Sequence, residues 1–320
     1  MKLIIQIPCY NEEETLPLTL DSLPIKMEGF DCVEWLIIDD GSQDKTVEVA
    51  KQHGGDHLVC LPTNRGLAYA FMAGLEACLD QGADVIVNTD ADNQYYSGDI
   101  DRLVRPIVQE QADIVIGKRP IYQIKHFSSL KKRLQKIGSN VVRIASRTDI
   151  PDAPSGFRAI SRSAALRLNV FSEYTYTLET IIQAGQKGMQ VTSIPIQVNE
   201  DLRPSRLVRS IWRYVWNSIL TIIRIFTIYR PFKAFFLVGM LFFVSGLLIG
   251  SRFLFHYFFS DGSGHIQSLI LAAILLNYGL FLVMSGVIAD LISINRRLIE
   301  DIQWRQRRMW REKDSNKTSK

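Results

Sequence analysis

Asp90-Ala91-Asp92 places two carboxylates one residue apart, directly after the apolar run Val85–Asn88. At the end of a strand such a pair can share a hard divalent cation. Mg²⁺ or Mn²⁺ held by oxygen ligands keeps part of its shell for water and phosphate, so the pair is suited to a bound diphosphate. Gln94 follows closely and adds weight to the pair. The spacing by itself also fits a solvated turn; its position at the end of an apolar run is what gives it weight.

Two further groups have the residue types of a nucleoside pocket, which needs an apolar or aromatic wall and acceptors for base and ribose. Pro8-Cys9-Tyr10-Asn11-Glu12 closes the first apolar run of the chain, and Ile38-Asp39-Asp40-Gly41-Ser42 closes the second. Tyr10 and Ile38 supply the wall in this reading, and Glu12 and Asp40 the acceptors. Asp40 or Ser42 is equally suited to capping a helix that starts near Lys45.

The elements that must position these groups alternate. Leu3–Ile7, Trp35–Ile38, Leu58–Leu61, Asp84–Asn88, Ile114–Gly117 and Val191–Val198 read as strands. Thr15–Leu23, Lys45–His53 and the stretch opened by Asn64-Arg65-Gly66 and running to Leu79 read as helices. That alternation predicts an α/β fold with a mostly parallel sheet, and ligands collect at the carboxyl ends of such strands. Both acidic groups sit at strand ends of that kind. Residues 125–136 are basic and broken by serines, which predicts a loop leading into a helix.

The net charge is +4, but the cations are clustered, which favours an anionic surface or substrate; no nucleic-acid partner is expected. Cys9, Cys32, Cys60 and Cys78 show no metal spacing and read as reduced thiols. The N-terminus opens at once on a strand-like run, so no cleaved leader is expected. Residues 207–231 interleave Arg209, Arg213 and Arg224 with Trp212, Trp216 and Phe226, as in a basic amphipathic helix on a membrane surface. Ala234–Ser251 and Ile266–Ala289 carry no charge, and at about 1.5 Å per residue each is long enough to cross a bilayer. Arg224, Arg230 and Lys233 precede the first span, and Arg296, Arg297, Arg305, Arg307, Arg308 and Arg311 follow the second. The positive-inside rule then puts both the globular part and the C-terminus in the cytoplasm, in a two-pass protein of the cytoplasmic membrane. Glycines in both spans, among them Gly239, Gly246 and Gly279, permit close helix packing and leave a homo-oligomer open.

The order Ile-Pro-x-Tyr-Asn-Glu, Ile-Asp-Asp-Gly-Ser, Asn-Arg-Gly at 64–66 and Asp-Ala-Asp at 90–92 resembles family 2 glycosyltransferases of the GT-A fold. Gly117-Lys118-Arg119, Ser155-Gly156-Phe157-Arg158 and Arg203-Pro204-Ser205-Arg206 resemble the branch typified by dolichol-phosphate mannose synthase and bacterial polyprenyl-phosphate glycosyltransferases. The last of these is a shortened form of that branch's Arg-x-x-x-Ser-Lys region. The resemblance implies a Rossmann-like GT-A domain over 1–206; the hydropathy and charge pattern adds interfacial helices over 207–231, spans at 232–256 and 266–290, and a basic tail over 291–320. It implies that Pro8, Tyr10, Asn11, Glu12, Ile38, Asp40, Asp90 and Ala91 bind the nucleotide-sugar, and that Asp90, Asp92 and Gln94 hold Mg²⁺ or Mn²⁺. Arg119, Arg133, Arg203 and Arg206 would face phosphates, chiefly that of a polyprenyl phosphate acceptor.

A lipid phosphate is already anionic near neutral pH, so it needs placement and cations rather than a strong base. Asp92 and Arg119 then carry the chemistry, and inversion by single displacement is expected. Lys131-Lys132-Arg133 fits either that phosphate or anionic headgroups. The alternative is direct transfer to a glycan or glycolipid hydroxyl, which needs a general base, and Glu179 is the residue available for it.

Overall fold

The computed structural model describes residues 1–120, 139–140, 142–143, 146, 148–170, 176–199, 216, 220, 223–224, 227, 230–259 and 266–318. They fall into two compact units, one of Met1–Ser218 with Gln303–Lys320 and one of Ile219–Ile302.

The first unit is built on one seven-stranded sheet. Its strands are β1 (Lys2–Cys9), β2 (Cys32–Asp39), β3 (His57–Cys60), β4 (Val85–Asn88), β5 (Ile114–Lys118), β6 (Arg158–Ser161) and β7 (Val191–Pro195). The order across the sheet is β3-β2-β1-β4-β6-β5-β7, with every pairing parallel except those of β6. The helices α1 (Leu16–Ser22), α2 (Thr46–Gln52), α3 (Leu67–Asp80), α4 (Ile100–Val108), α5 (Arg162–Arg167) and α6 (Thr177–Gln186) connect and cover it. The α/β, mostly parallel class expected from the alternation is the observed one. Leu3, Ile5, Ile7, Val85, Val87, Val115 and Ala159 form the centre of the core, near-continuous apolar runs because both faces of these strands are covered.

Several elements differ from the sequence reading. β6 is not anticipated, because a run as short as Arg158–Ser161 carries no periodicity of its own, and helices α4 to α6 are also additions, although α4 does bury Ile100, Leu103, Val104 and Ile107 at helical spacing. β7 stops at Pro195 rather than Val198; Val198 instead makes an isolated antiparallel bridge to Tyr95. The predicted loop and helix over 125–136 lie outside the described residues.

The strand order reverses at β1 and β4. From β1 the chain moves out through β2 and β3, then returns to place β4 on the other side of β1. A crevice forms beyond the carboxyl ends of strands at such a switch point. The register pairs Cys9 with Asp39 and Gln6 with Asn88, so the segments after β1, β2 and β4 emerge side by side there. Helix α3 can lie close beneath them because of Gly74: a Cβ there would fall 2.6 Å from Ile38 Cδ1 and 2.7 Å from Gln6 Oε1.

The second unit has helix α7 (Pro231–Phe259) and the part of α8 (Ile266–Thr318) that lies within it. Pro231–Phe259 and Ile266–Arg296 have mean hydropathies of 2.2 and 2.1 and are long and apolar enough to cross a membrane. Their side chains are mostly exposed, as in helices meant for lipid rather than for a protein core. The two helices touch through glycine: a Cβ on Gly239 would lie 2.8 Å from Gly279 O, and one on Gly279 would lie 2.7 Å from Phe243 N. Phe242 and Tyr278 meet edge to face beside that contact.

At the amino ends of the strands, Glu34 accepts from Lys2 Nζ at 2.7 Å and pairs with His57 Nε2 at 2.6 Å. Burial opposes its charge, but hydrogen bonds from Lys2, His57 and Cys32 outweigh that and hold its carboxyl down to about 2. A folded pKa below the unfolded one gives stability that is complete above about 4.5 and lost as pH falls towards about 2. Glu34→Gln should therefore lower stability by about 2 kcal/mol at pH 7. It should also remove most of the fall between about pH 4.5 and 2, read from thermal unfolding of the detergent-solubilised chain. An unchanged acid limb would show that this cluster is not what fails.

Candidate active site

The loops after β1 and β2 are laced together by their own side chains. Asn11 N–H donates to Ser42 Oγ at 2.9 Å, and Gln43 N–H donates to Asn11 Oδ1 at 2.8 Å. Glu12 N–H donates to Thr46 Oγ1 at 2.8 Å, while Thr15 Oγ1 donates to Glu12 Oε2 at 2.6 Å. Asn11 has φ +53, a left-handed conformation that asparagine tolerates better than most residues. Gly41, with φ +73, has no such latitude, since a Cβ there would lie 2.7 Å from Asn64 N.

Asp40 is buried, and its two oxygens accept from Arg65 N–H and Gly66 N–H, each at 2.8 Å. It thus fixes the entry to α3, and a base or ribose can use only its remaining lone pairs. This cap acts on the helix 25 residues downstream rather than on the one near Lys45. Ile38 does not form an open wall. It has no exposed surface and packs against α3 at Gly74, because strand alternation turns its side chain under that helix. Pro8 and Ala91 are likewise buried, and Ala91 offers its carbonyl, which accepts from Thr19 Oγ1 at 3.0 Å. Tyr10 is exposed at the mouth of the crevice, as are Arg65 and Tyr69, whose ring carries the Arg65 guanidinium 3.7 Å from its centroid.

Asp90 and Asp92 follow β4, and both are half-buried. Burial raises the Asp90 carboxyl first and the charge of Asp92 raises it further, against Arg119, a hydrogen bond from Tyr95 and Arg158; the result is about 7. Tyr95 Oη also accepts from Gly156 N–H at 3.0 Å, and its ring stacks on Phe157. Gly156 lets Asp90 sit where it does: a Cβ there would be 3.0 Å from both carboxylate oxygens. Asp92 Oδ1 accepts from Gln94 N–H at 3.1 Å, closing a turn in which Asn93 has φ +55.

Two arginines lie beneath the pair. Arg119 is not a free phosphate ligand: its Nε and Nη2 donate to the two oxygens of Asp152 at 2.9 and 3.0 Å. Its backbone N–H joins the same carboxylate at 3.1 Å. Three of its five side-chain N–H groups remain for another acceptor. Arg158 is fully buried and donates to Ser155 O, Ala153 O and Thr180 Oγ1, so it ties the segment before β6 to helix α6. Tyr176, at the start of α6, stacks on Phe71 at 3.9 Å, and Asn88 Nδ2 donates to its hydroxyl at 3.0 Å.

Glu179 is buried in the first turn of α6, where Gln183 Nε2 donates to it at 3.3 Å; Gln183 Oε1 in turn accepts from Asn169 N–H. Its described partners are thus those of a helix-anchoring network. Arg133, Arg203 and Arg206 lie outside the described residues. Sequence reasoning missed Tyr95, Asp152 and Asn88, none of which belongs to a recognisable pattern. Gly156 and Arg158 were visible as part of Ser155–Arg158, but their roles were not.

The donor set fits a hard divalent cation. No group of three or more His, Cys, Asp or Glu side chains converges among the described residues, so the protein offers a carboxylate pair and leaves the rest of a shell to ligand and water. Burial, and after it the charge of Asp92, lifts Asp90 to about 7, and a cation between the two carboxylates would offset both.

The model of glycosyl transferase family 2 matches residues 4–168. Undecaprenyl-phosphate mannosyltransferase of Micrococcus luteus is 29% identical over 65% of this chain and 88% of its own length. A UDP-N-acetylglucosamine–dolichyl-phosphate N-acetylglucosaminyltransferase of Methanococcus voltae is 28% identical over 60% and 83%. Among solved structures, glucosyl-3-phosphoglycerate synthase of Mycobacterium tuberculosis, in complex with Mn²⁺, UDP and glucosyl-3-phosphoglycerate, matches with a TM-score of 0.53. It is 20% identical and the match covers 69% of this chain and 79% of that one, a likeness of fold.

Protons and cations compete for Asp90. Mn²⁺ binding should weaken about tenfold per unit well below pH 7 and level off above about pH 8, followed by the EPR signal of free Mn²⁺. A flat profile would place the cation elsewhere. Gly156→Ala should weaken Mn²⁺ and nucleotide binding by about tenfold or more by displacing Asp90, with a smaller change in thermal stability.

Proposed function

The chain belongs to glycosyl transferase family 2 and is a glycosyltransferase, and from that premise we propose that it uses a divalent cation to transfer a sugar from a nucleotide-sugar to a polyprenyl phosphate, with inversion, at the cytoplasmic face of the membrane. One observation carries the reading: a carboxylate pair at a sheet switch point shares a chain with two helices of membrane-crossing length. The Micrococcus and Methanococcus relatives are named for undecaprenyl and dolichyl phosphates, which supports the acceptor class.

In this reading Asp90 and Asp92, with Gln94, hold Mg²⁺ or Mn²⁺. The ion when bound supplies Lewis-acid stabilisation of the leaving diphosphate. The protein's own work is placement. The laced loops after β1 and β2 form a rigid rim for the nucleoside, with Tyr10 exposed to take a ring face. Arg119, steadied by Asp152, presents its remaining donors towards phosphate oxygen without adding an uncompensated charge. The acceptor phosphate attacks as an anion, so no side chain need remove a proton. The engagement of Glu179 with Gln183 favours this over a hydroxyl acceptor, for which Glu179 would have to act as base. The cations flanking α7 and following the apolar part of α8 support a cytosolic catalytic unit and C-terminus by the positive-inside rule.

Membranes containing the chain, given polyprenyl phosphate and a panel of radiolabelled UDP- and GDP-sugars, should move label into the acid-labile lipid fraction. Asp92→Ala should reduce that transfer by about 10² or more. Label entering only acid-stable glycan would establish the hydroxyl acceptor instead. Truncation after Tyr229 should depress transfer to a long-chain lipid far more than nucleotide binding, and equal loss of both would count against the membrane's role.

A further inference from the structure

Asn199 belongs to no motif, yet it grips both peptide units that flank Gln94. Its backbone N–H donates to Gln94 O at 2.9 Å, and its side-chain Nδ2 donates to Asn93 O at 2.9 Å. The same amide lies 3.3 Å from Asn93 Oδ1 and 3.4 Å from Tyr95 O. One residue therefore sets the orientation of the main chain on each side of Gln94, whose own N–H aims at Asp92 Oδ1.

The segment that delivers Asn199 is itself fixed. Gln197 N–H donates to the buried Asp99 at 2.6 Å, Val198 bridges Tyr95, and Tyr96 N–H reaches Gln197 O at 3.5 Å. Asp99 is also held by Arg102 at 2.9 Å. Residues 197–199 thus form a strap across the outside of the acidic turn, tied down at the amino end of α4. The turn needs such a strap, because Asn93 sits at φ +55 and an unrestrained chain would relax towards negative φ.

We propose that Asn199 is a positioning residue for the cation site, acting through the carbonyls of Asn93 and Gln94 to keep Asp92 and Gln94 in ligating geometry. The proposal rests on the reading of Asp90 and Asp92 as cation ligands, and it deepens that reading. What matters is donation: the amide Nδ2 faces only oxygens. A carboxylate of the same shape would face them with like charge, so Asn199→Asp should be worse than Asn199→Ala. Because the strain resides at Asn93, a glycine there should relieve part of the need for the strap.

The test is Mn²⁺ binding to the full detergent-solubilised chain by EPR, with and without UDP, alongside thermal unfolding. Asn199→Ala should weaken Mn²⁺ binding about tenfold, and Asn199→Asp more than that. Asn93→Gly added to Asn199→Ala should recover several-fold in affinity. A residue that merely holds the fold together would show neither the order Asp below Ala nor recovery through glycine. Wild-type Mn²⁺ affinity in Asn199→Ala overturns the proposal, and so does an Asp variant that binds as well as the Ala variant. If Asn199→Ala does not fold, the double variant supplies the comparison, and its failure to regain affinity over Asn199→Asp overturns the proposal. Normal Mn²⁺ binding with the predicted order but no label in lipid would sink the acceptor reading and leave Asn199's role standing. A wild-type chain that binds no Mn²⁺ overturns both.

Discussion

Two negative charges one residue apart at the end of a buried strand repel each other, and much of the surrounding structure answers that repulsion. Asp90 is raised to about 7 by burial and by Asp92, even with Arg119 and Arg158 nearby. The arginines do not quench the pair by direct ion pairing. Arg119 is turned to Asp152, and Arg158 spends its donors on backbone carbonyls and Thr180. Their fields moderate the charge of Asp90 at a distance. A site neutralised by a contact arginine would have no room left for a cation.

Rigidity around the pair comes from hydrogen bonds reaching in from elsewhere in the chain. Tyr95 links Asp90 to Gly156, and Asn88 links Gly156 O to Tyr176 and, through Gln6, to the middle of β1. These groups are buried and mutually satisfied, so displacing one leaves others unpaired in a low-dielectric setting. The crevice is accordingly preorganised by the sheet's polar interior as much as by its loops.

The fold class was legible because apolar runs ending in acidic or glycine-rich stretches are strong signals of parallel strands, and Asp90–Asp92 and Pro8–Glu12 were readable as site segments for the same reason. What could not be read was pairing across long separations. Asp152 lies 33 residues from Arg119 and Asn199 lies 106 from Asn93, and neither residue type is unusual where it stands. Ile38 shows the complementary limit. Its place beside Asp39-Asp40 looked like a pocket wall, but which face of the strand it takes depends on where α3 packs. The antiparallel β6 was invisible because its four residues borrow their conformation from β4 and β5.

The double grip of Asp40 on Arg65 and Gly66 bears on how genetics at this position should be interpreted. A side chain that staples one loop to the first turn of a distant helix is architecture as well as chemistry, so an inactive substitution there does not by itself identify a base contact. The same ambiguity would mislead anyone sorting natural variants into donor-specificity classes by this aspartate alone. Tyr10, which stands on the exposed rim, is the sounder place to look for that information.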